Sequence, residues 1–300
     1  MDYKNKKVRK AVIAAAGFGT RFLPMTKAMP KEMLPIVDKP IIQYIVEELV
    51  DAGIEDIVIV TGYHKRTIED HFDNMSADLR ANLKAGNKHQ LLEDTKRISS
   101  LANFVYVRQK SPHGSGGPLL DASHLIGDEP FIYTFADDFV VAKPSRFRQL
   151  IETRAQHGGS VVTAIKRDSP NDYKRYGYVG GKEISSGILE LDSIIEKPGT
   201  KDAAPSDIAS VSGYVFDPII LEYLEKQVKT HDKNEGEFQI QKSMQQMIDD
   251  GNHIYALNMK DAVYYDTGNP LDYMKTIIEF GLNRQDMGAE LEQYLRDKLL

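Results

Sequence analysis

Cysteine is absent from this 300-residue sequence. That excludes a disulfide framework, a thiolate metal site and a cysteine nucleophile, and it is compatible with a reducing cytoplasm, where the protein is expected to reside. An excess of positive charge is missing too: 38 Lys and Arg stand against 44 Asp and Glu, for a net charge of −6 and a pI near 5.8. Nucleic acid, which normally requires a basic face, is therefore not an expected partner. No apolar stretch approaches the roughly 20 residues that span a bilayer, and the basic lead-in MDYKNKKVRK lacks the apolar core of a secretion signal, so no membrane partner is expected. Internal repeats, low-complexity tracts and independent linkers are likewise missing.

With 41% hydrophobic and 27% charged residues, the chain has the composition of a globular protein, enough for one large domain or a domain with an appendage. Its organising stretch is AAAGFGTRFLPMTKAMPKEMLP, from Ala14 to Pro35. The apolar run from Ala11 to Ala16 reads as a buried strand, and an amphipathic helix starts near Pro40, so the stretch is a loop at the carboxyl edge of a parallel sheet, where open α/β sheets bind ligands. Gly17 and Gly19 let backbone N–H groups approach an anion, Thr20 adds a hydroxyl, and Arg21, Lys27 and Lys31 supply cationic donors suited to phosphate oxygens. The third glycine of the dinucleotide fingerprint is missing and GxxxxGK[ST] does not occur, so neither a Rossmann cofactor loop nor a Walker loop is matched.

Further along, Ile41, Ile45 and Leu49 beside Ile42, Val46 and Val50 form one apolar stripe, Gly53 is a natural C-terminal cap, and Ile57 to Val60 is a second buried strand. Strand, helix and strand make a parallel βαβ unit. A helix near 65–72, one longer polar helical stretch over 76–100 and a strand at 104–107 follow. Gln109 then stands just past a strand end, where its amide can both donate to and accept from the imide edge of uracil or thymine, and Gly114, Ser115, Gly116 and Gly117 allow a base to lie close to the backbone.

The strand from Phe131 to Phe135 delivers Asp137 and Asp138 at its carboxyl end. An acidic pair there would repel a triphosphate unless a divalent cation intervened, and successive residues of an extended chain face opposite ways, which gives Asp138 a supporting role. After a helix over 145–156 and the strand SVVTAIK, short strands between polar turns mark a β-rich region over about 166–217. The run through Met244 and Ile248 reads as core, and two helices close the chain, with Leu291, Tyr294, Leu295 and Leu299 forming a stripe for packing within the chain or between subunits.

The GxGTR segment followed by PKEMLP resembles the signature of the nucleotidyltransferases that make nucleoside-diphosphate sugars. Within them, AGFGTRFLPMTKAMPKEMLPIVDKPIIQYIVEE is similar to bacterial UTP:glucose-1-phosphate uridylyltransferases. The resemblance implies an α/β fold with a Rossmann-like, doubly wound, mostly parallel sheet, a β-rich sugar-binding region and C-terminal helices. It implies a catalytic domain over 1–283, with a nucleotide-binding part at about 8–165 and a sugar-binding part at about 166–270, and a helical tail over 284–300. The implied reaction joins UTP and glucose 1-phosphate, with Mg²⁺, to give UDP-glucose and pyrophosphate.

By the same resemblance, Arg21 and Lys31 are catalytic, and Ala15, Ala16, Gly17, Gly19, Thr20, Gln109 and Gly114 bind the nucleotide. Tyr176 and Gly177 of RYGYV, with Glu196 and Lys197 of IIEKP, bind the sugar phosphate, and Asp137 and Asp266 hold the metal. The sequence departs from the family pattern at Gly117, Pro118, Ser212, Gln241 and Lys242. A homo-oligomer, dimer or tetramer, is expected. The alternatives are a dTTP-using glucose-1-phosphate thymidylyltransferase and a sugar-nucleotide-binding homologue without turnover.

Overall fold

A computed structural model describes residues 6–232, 234 and 236–299. Strand β1 (Lys10–Ala15) leads through short 3-10 turns and the two-residue strands β2 (Pro35–Ile36) and β3 (Lys39–Pro40) into α1 (Ile41–Asp51). Next come β4 (Asp56–Thr61), α2 (Arg66–Phe72), α3 (Ala77–Ala85), α4 (His89–Ile98), β5 (Asn103–Arg108), α5 (Gly117–Ile126), β6 (Phe131–Phe135), β7 (Asp138–Val141), α6 (Arg146–His157) and β8 (Ser160–Lys166). The rest comprises β9 (Gly177–Ser185), β10 (Ile188–Glu196), β11 (Ile208–Phe216), α7 (Ile219–Thr230), α8 (Ile240–Asp249), β12 (Ile254–Asn258), β13 (Val263–Asp266), α9 (Pro270–Leu282) and α10 (Gly288–Leu299).

Nine strands form one twisted sheet in the order β5-β4-β1-β6-β11-β8-β12-β10-β9. Strands β5, β4, β1 and β6 pair in parallel, as do β8 and β12, whereas β11 and β10 run against their neighbours. The sheet is therefore mostly parallel, as expected, and it continues without a break from the first strand into the β-rich region. Alternation along β1 explains the two layers. Ala11, Ile13 and Ala15 pack under α1 and α6 with Ile41, Ile45, Leu49 and Phe147, while Val12 faces α5, α7 and α8 with Leu119, Leu224 and Met244. Met244 is core, as the sequence indicates.

At the end of α1, Gly53 N–H donates to Val50 and Ile54 N–H to Leu49, a Schellman closure. The single polar helix expected over 76–100 is two helices. Asn87, at φ 52°, takes the left-handed position, Lys88 N–H returns to the Leu83 carbonyl, and the chain turns before α4. The C-terminal helices form as expected. Leu291 of α10 packs on Gly281 of α9, whereas Tyr294 and Leu299 remain exposed. No helix among the described residues is long and apolar enough to cross a membrane.

A two-stranded ladder outside the main sheet positions the site. Strands β7 and β13 pair antiparallel with Asp138 opposite Asp266, and the stacked rings of Tyr44, Phe139 and Tyr265, edged by Phe280, fasten the ladder to α1 and α9.

Candidate active site

The loop after β1 folds into three successive 3-10 turns, Thr20–Phe22, Met25–Lys27 and Lys31–Met33. Ala15 and Ala16 are buried at the strand end, while Gly17, Thr20 and Arg21 are exposed. Gly19 adopts φ 66°, and its carbonyl accepts from Thr26 Oγ1 at 2.7 Å, which closes the loop on itself. The third turn directs Lys31 back toward the first. Its Nζ lies 3.6 Å from where a Cβ on Gly17 would stand and donates to Asp137 Oδ2 at 2.5 Å.

Asp137 and Asp266, far apart in sequence, meet over Gly268. A Cβ on Gly268 would sit 3.1 Å from Asp137 Oδ2 and 3.1 Å from Asp266 Oδ1, with Arg21 Nη1 at 3.7 Å, so both carboxylates and the guanidinium surround one small cradle. Arg21 Nη1 also donates to the Gly268 carbonyl at 3.2 Å. The backbone keeps the corner rigid: Thr267 N–H and Oγ1 both donate to the Asp137 carbonyl, and Gly268 N–H donates to Asp266 Oδ1 at 2.9 Å.

Burial opposes charge at Lys31, but the Asp137 and Glu32 carboxylates outweigh it and hold the ammonium above its ordinary pKa. Burial would raise Asp137, yet Lys31, Lys65 and Arg21 together bring it below the usual carboxylate range. Asp138 behaves differently. Burial pushes it up to about 7 against the pull of Arg146, and it accepts from the Tyr264 hydroxyl at 2.8 Å, consistent with the supporting role read from strand alternation.

The residues expected to bind the sugar phosphate adjoin this corner. The Tyr176 hydroxyl donates to Asp266 Oδ2 at 2.8 Å, and the Tyr176 carbonyl accepts from Lys197 N–H at 3.1 Å. A Cβ on Gly177 would meet Glu196 Oε2 at 2.8 Å. Lys197 Nζ lies 3.5 Å from Glu196 Oε1 on a half-exposed side chain, and burial raises Glu196 with Lys197 opposing. Gln241, one of the departures from the family pattern, lies beside Gly177 and accepts from Ser115 Oγ at 3.3 Å, thereby linking the start of β9 to the glycine-rich turn.

Gln109 lies at the same sheet edge two strands from Ala15, since Ala15 pairs with Thr61 and Thr61 with Arg108. Its side-chain amide donates to the Pro112 carbonyl at 3.1 Å within its own loop. Phe18 and His113 bring the two loops together, with ring centroids 5.4 Å apart. The glycines have an internal reason for lacking side chains: a Cβ on Gly114 would collide with the Phe238 backbone, and one on Gly116 with the Phe238 ring. The segment before α8 thus takes the space that side chains at these two positions would need.

Three contributors escaped the sequence reading. Glu32, inside PKEMLP, is fully buried and accepts two bonds from Lys65 Nζ, at 2.7 and 2.8 Å, which pins the turn carrying Lys31. Arg175 precedes the Tyr-Gly motif and donates to Asp266 Oδ2. Gly268 follows Asp266 in DTG, where the close approach of two acids is its only signal.

The sequence matches the family described as nucleotidyl transferase over residues 10–280. It is 44% identical over 293 residues to UTP–glucose-1-phosphate uridylyltransferase YngB of Bacillus subtilis, covering 97% of this chain and 96% of that protein. Among solved structures it resembles a UDP-glucose pyrophosphorylase complexed with UDP-glucose (TM-score 0.81, 35% identity, 93% of this chain and 100% of the other). It also resembles a UTP-bound UGPase from Acinetobacter baumannii (TM-score 0.85, 30% identity, 96% and 99%).

Proposed function

The chain belongs to the nucleotidyl transferase family, and we propose that it transfers a uridylyl group from UTP to glucose 1-phosphate, forming UDP-glucose and releasing pyrophosphate. The observation that carries this reading is the meeting of Arg21, Lys31, Asp137 and Asp266 around Gly268 at the carboxyl edge of the sheet. Its near full-length likeness to uridylyltransferases favours UTP over dTTP. Retention of every charged residue in the assigned site favours turnover over binding alone.

A phosphate oxygen of glucose 1-phosphate attacks the α-phosphorus of UTP as the bond to the bridging oxygen of the β-phosphate breaks, so no covalent protein carrier is required. The work of the site is alignment of two polyanions and stabilisation of charge growing on the leaving pyrophosphate. Arg21 clamps the β- and γ-phosphates and Lys31 the α-phosphate. Lys197 orients the attacking phosphate, while Glu196, Tyr176 and Gly177 hold the sugar. Ala15, Ala16, Gly17, Gly19 and Thr20 line the phosphates, and Gln109 with Gly114 reads the base. We assign the nucleotide to 8–165 and the sugar to 166–270 within a catalytic domain over 1–283, with 284–300 as the tail.

Mg²⁺ fits this donor set. Asp137 Oδ2 and Asp266 Oδ1 both face the Gly268 cradle, and this ion takes one or two carboxylates with phosphate oxygens and water completing its shell. Among the described residues no group of three or more His, Asp or Glu gathers to hold a metal unaided, which suits a site completed by substrate. The bound ion would neutralise phosphate oxygens that Arg21 and Lys31, already facing protein acids, leave uncompensated. Exposed Tyr294 and Leu299 on α10 support association of like chains.

Pyrophosphate release measured with UTP and dTTP against a panel of sugar phosphates tests the reading. Magnesium-dependent release with UTP and glucose 1-phosphate is the expected result, and a clear preference for dTTP, or no release, would overturn it. Gly268→Ala probes the cradle directly. A methyl 3.1 Å from both carboxylates crowds them apart, so turnover should fall about 10–100-fold, the range for disturbed metal surroundings, while the thermal midpoint shifts little.

A further inference from the structure

Asp266 is held from the side opposite Asp137. Its Oδ2 accepts from Arg175 Nη2 at 2.5 Å and from the Tyr176 hydroxyl at 2.8 Å, leaving Oδ1 with the Gly268 N–H and the cradle. The same Arg175 nitrogen reaches Asp272 Oδ2 at 3.1 Å. Asp272 is itself fixed: its N–H donates to Asn269 Oδ1 at the N-cap of α9, and its Oδ2 accepts from Asn269 Nδ2 at 2.7 Å. On its own backbone, Arg175 closes the 3-10 turn Asp172–Lys174 through its N–H to the Asp172 carbonyl. The guanidinium thus bridges the turn before β9 to the first turn of α9, with the Asp266 carboxylate between them.

We propose that Arg175 is the positioning residue of the cation site, holding Oδ2 of Asp266 so that Oδ1 faces Asp137 Oδ2 across Gly268 before any ion arrives. The inference rests on the functional reading above. Its physical basis is that the bonds from the Tyr176 hydroxyl and the Gly268 N–H are neutral, whereas the bond from the braced Arg175 guanidinium is charge-assisted and fixes the carboxylate's terminal torsion more firmly. Groups that orient metal ligands from behind commonly govern affinity by about 10–100-fold. Arg175 contributes modestly to stability: its side chain is 34% exposed and that of Asp266 17%, so solvent screens the pair in part.

Charge and orientation make opposite predictions here. Removing a cation beside two carboxylates strengthens their attraction for a divalent ion, while releasing Asp266 weakens it. Mn²⁺ held by the protein in the presence of UTP can be read from the enhancement of water-proton relaxation, with Arg175→Met, Arg175→Lys and the unaltered protein compared. Arg175→Met should bind Mn²⁺ about 10–100-fold more weakly, with only a small shift in thermal midpoint and a parallel rise in the Mg²⁺ needed for half-maximal pyrophosphate release. Arg175→Lys, which keeps the charge but carries it as a point on a shorter, more flexible stem, should also weaken binding. Unchanged or tighter Mn²⁺ binding in Arg175→Met would overturn the inference. Failure of the unaltered protein to hold Mn²⁺ with UTP would overturn the functional reading, and the inference with it.

Discussion

Lys31→Ala is expected to lower turnover with UTP and glucose 1-phosphate by about 10²–10³-fold, the usual cost of removing a donor aimed at transition-state charge. The ammonium is close to Gly17, in the glycine loop after β1, and 2.5 Å from Asp137. Its acid neighbours outweigh burial and hold its pKa above the ordinary value, so it carries its charge at neutral pH. Arg21→Ala should cost a similar factor, since its guanidinium is oriented by the Gly268 carbonyl beside both aspartates. Neither change should unfold the protein: Arg21 lies on an exposed loop, and the Asp137 side chain left behind by Lys31→Ala is 25% exposed. Single-turnover pyrophosphate release, with circular dichroism to verify folding, checks both variants. Near-normal rates in folded variants would overturn the assigned roles.

The second large effect falls on stability. Lys65→Met should destabilise the protein by about 3–5 kcal/mol, because it strands Glu32, whose side chain is wholly buried and takes both its charge-assisted bonds from Lys65. Burial raises the Glu32 carboxyl and lowers the Lys65 ammonium, so each needs the other to remain ionised in place. Such a loss is a large fraction of the stability of a typical native fold. Adding Glu32→Leu to Lys65→Met replaces the pair by apolar groups of comparable size and should recover most of it. Urea unfolding of the two single variants and the double gives the coupling energy directly. Equal midpoints for Lys65→Met and the unaltered protein would show that the pair is dispensable.

Much of the N-terminal part of the sheet is legible in the sequence because local rules act there. The alanine-rich strand, the glycine loop and the amphipathic stripe of α1 each announce themselves within a dozen residues, and the fold keeps them in that order. The Gly86–Asn87 turn was legible in principle, since an asparagine can take the left-handed position that ends a helix, but the polar run around it masked the stop. Lys65 was not. In GYHKRTIED it looks like a solvated helix start, and only the arrival of Glu32 from another turn reveals that it is buried. Arg175 escaped for the same reason: its partners lie on α9 and at the end of β13, so no local spacing signals the contact. The glycines at 114 and 116 carry a further constraint that the sequence does not display, since Phe238 occupies the space their side chains would take.

Strand β11 enters the sheet between β6 and β8, and that placement governs how the chain is born. When Phe135 emerges from the ribosome, β6 has β1 on one flank and an open, hydrogen-bond-hungry flank on the other. Its second neighbour ends at Phe216, a delay of roughly 4–16 s at about 5–20 residues per second of synthesis. A nascent chain with a bare inner edge for that long invites intermolecular strand addition, so safe maturation depends on sheltering this flank until the late-arriving strand seals it.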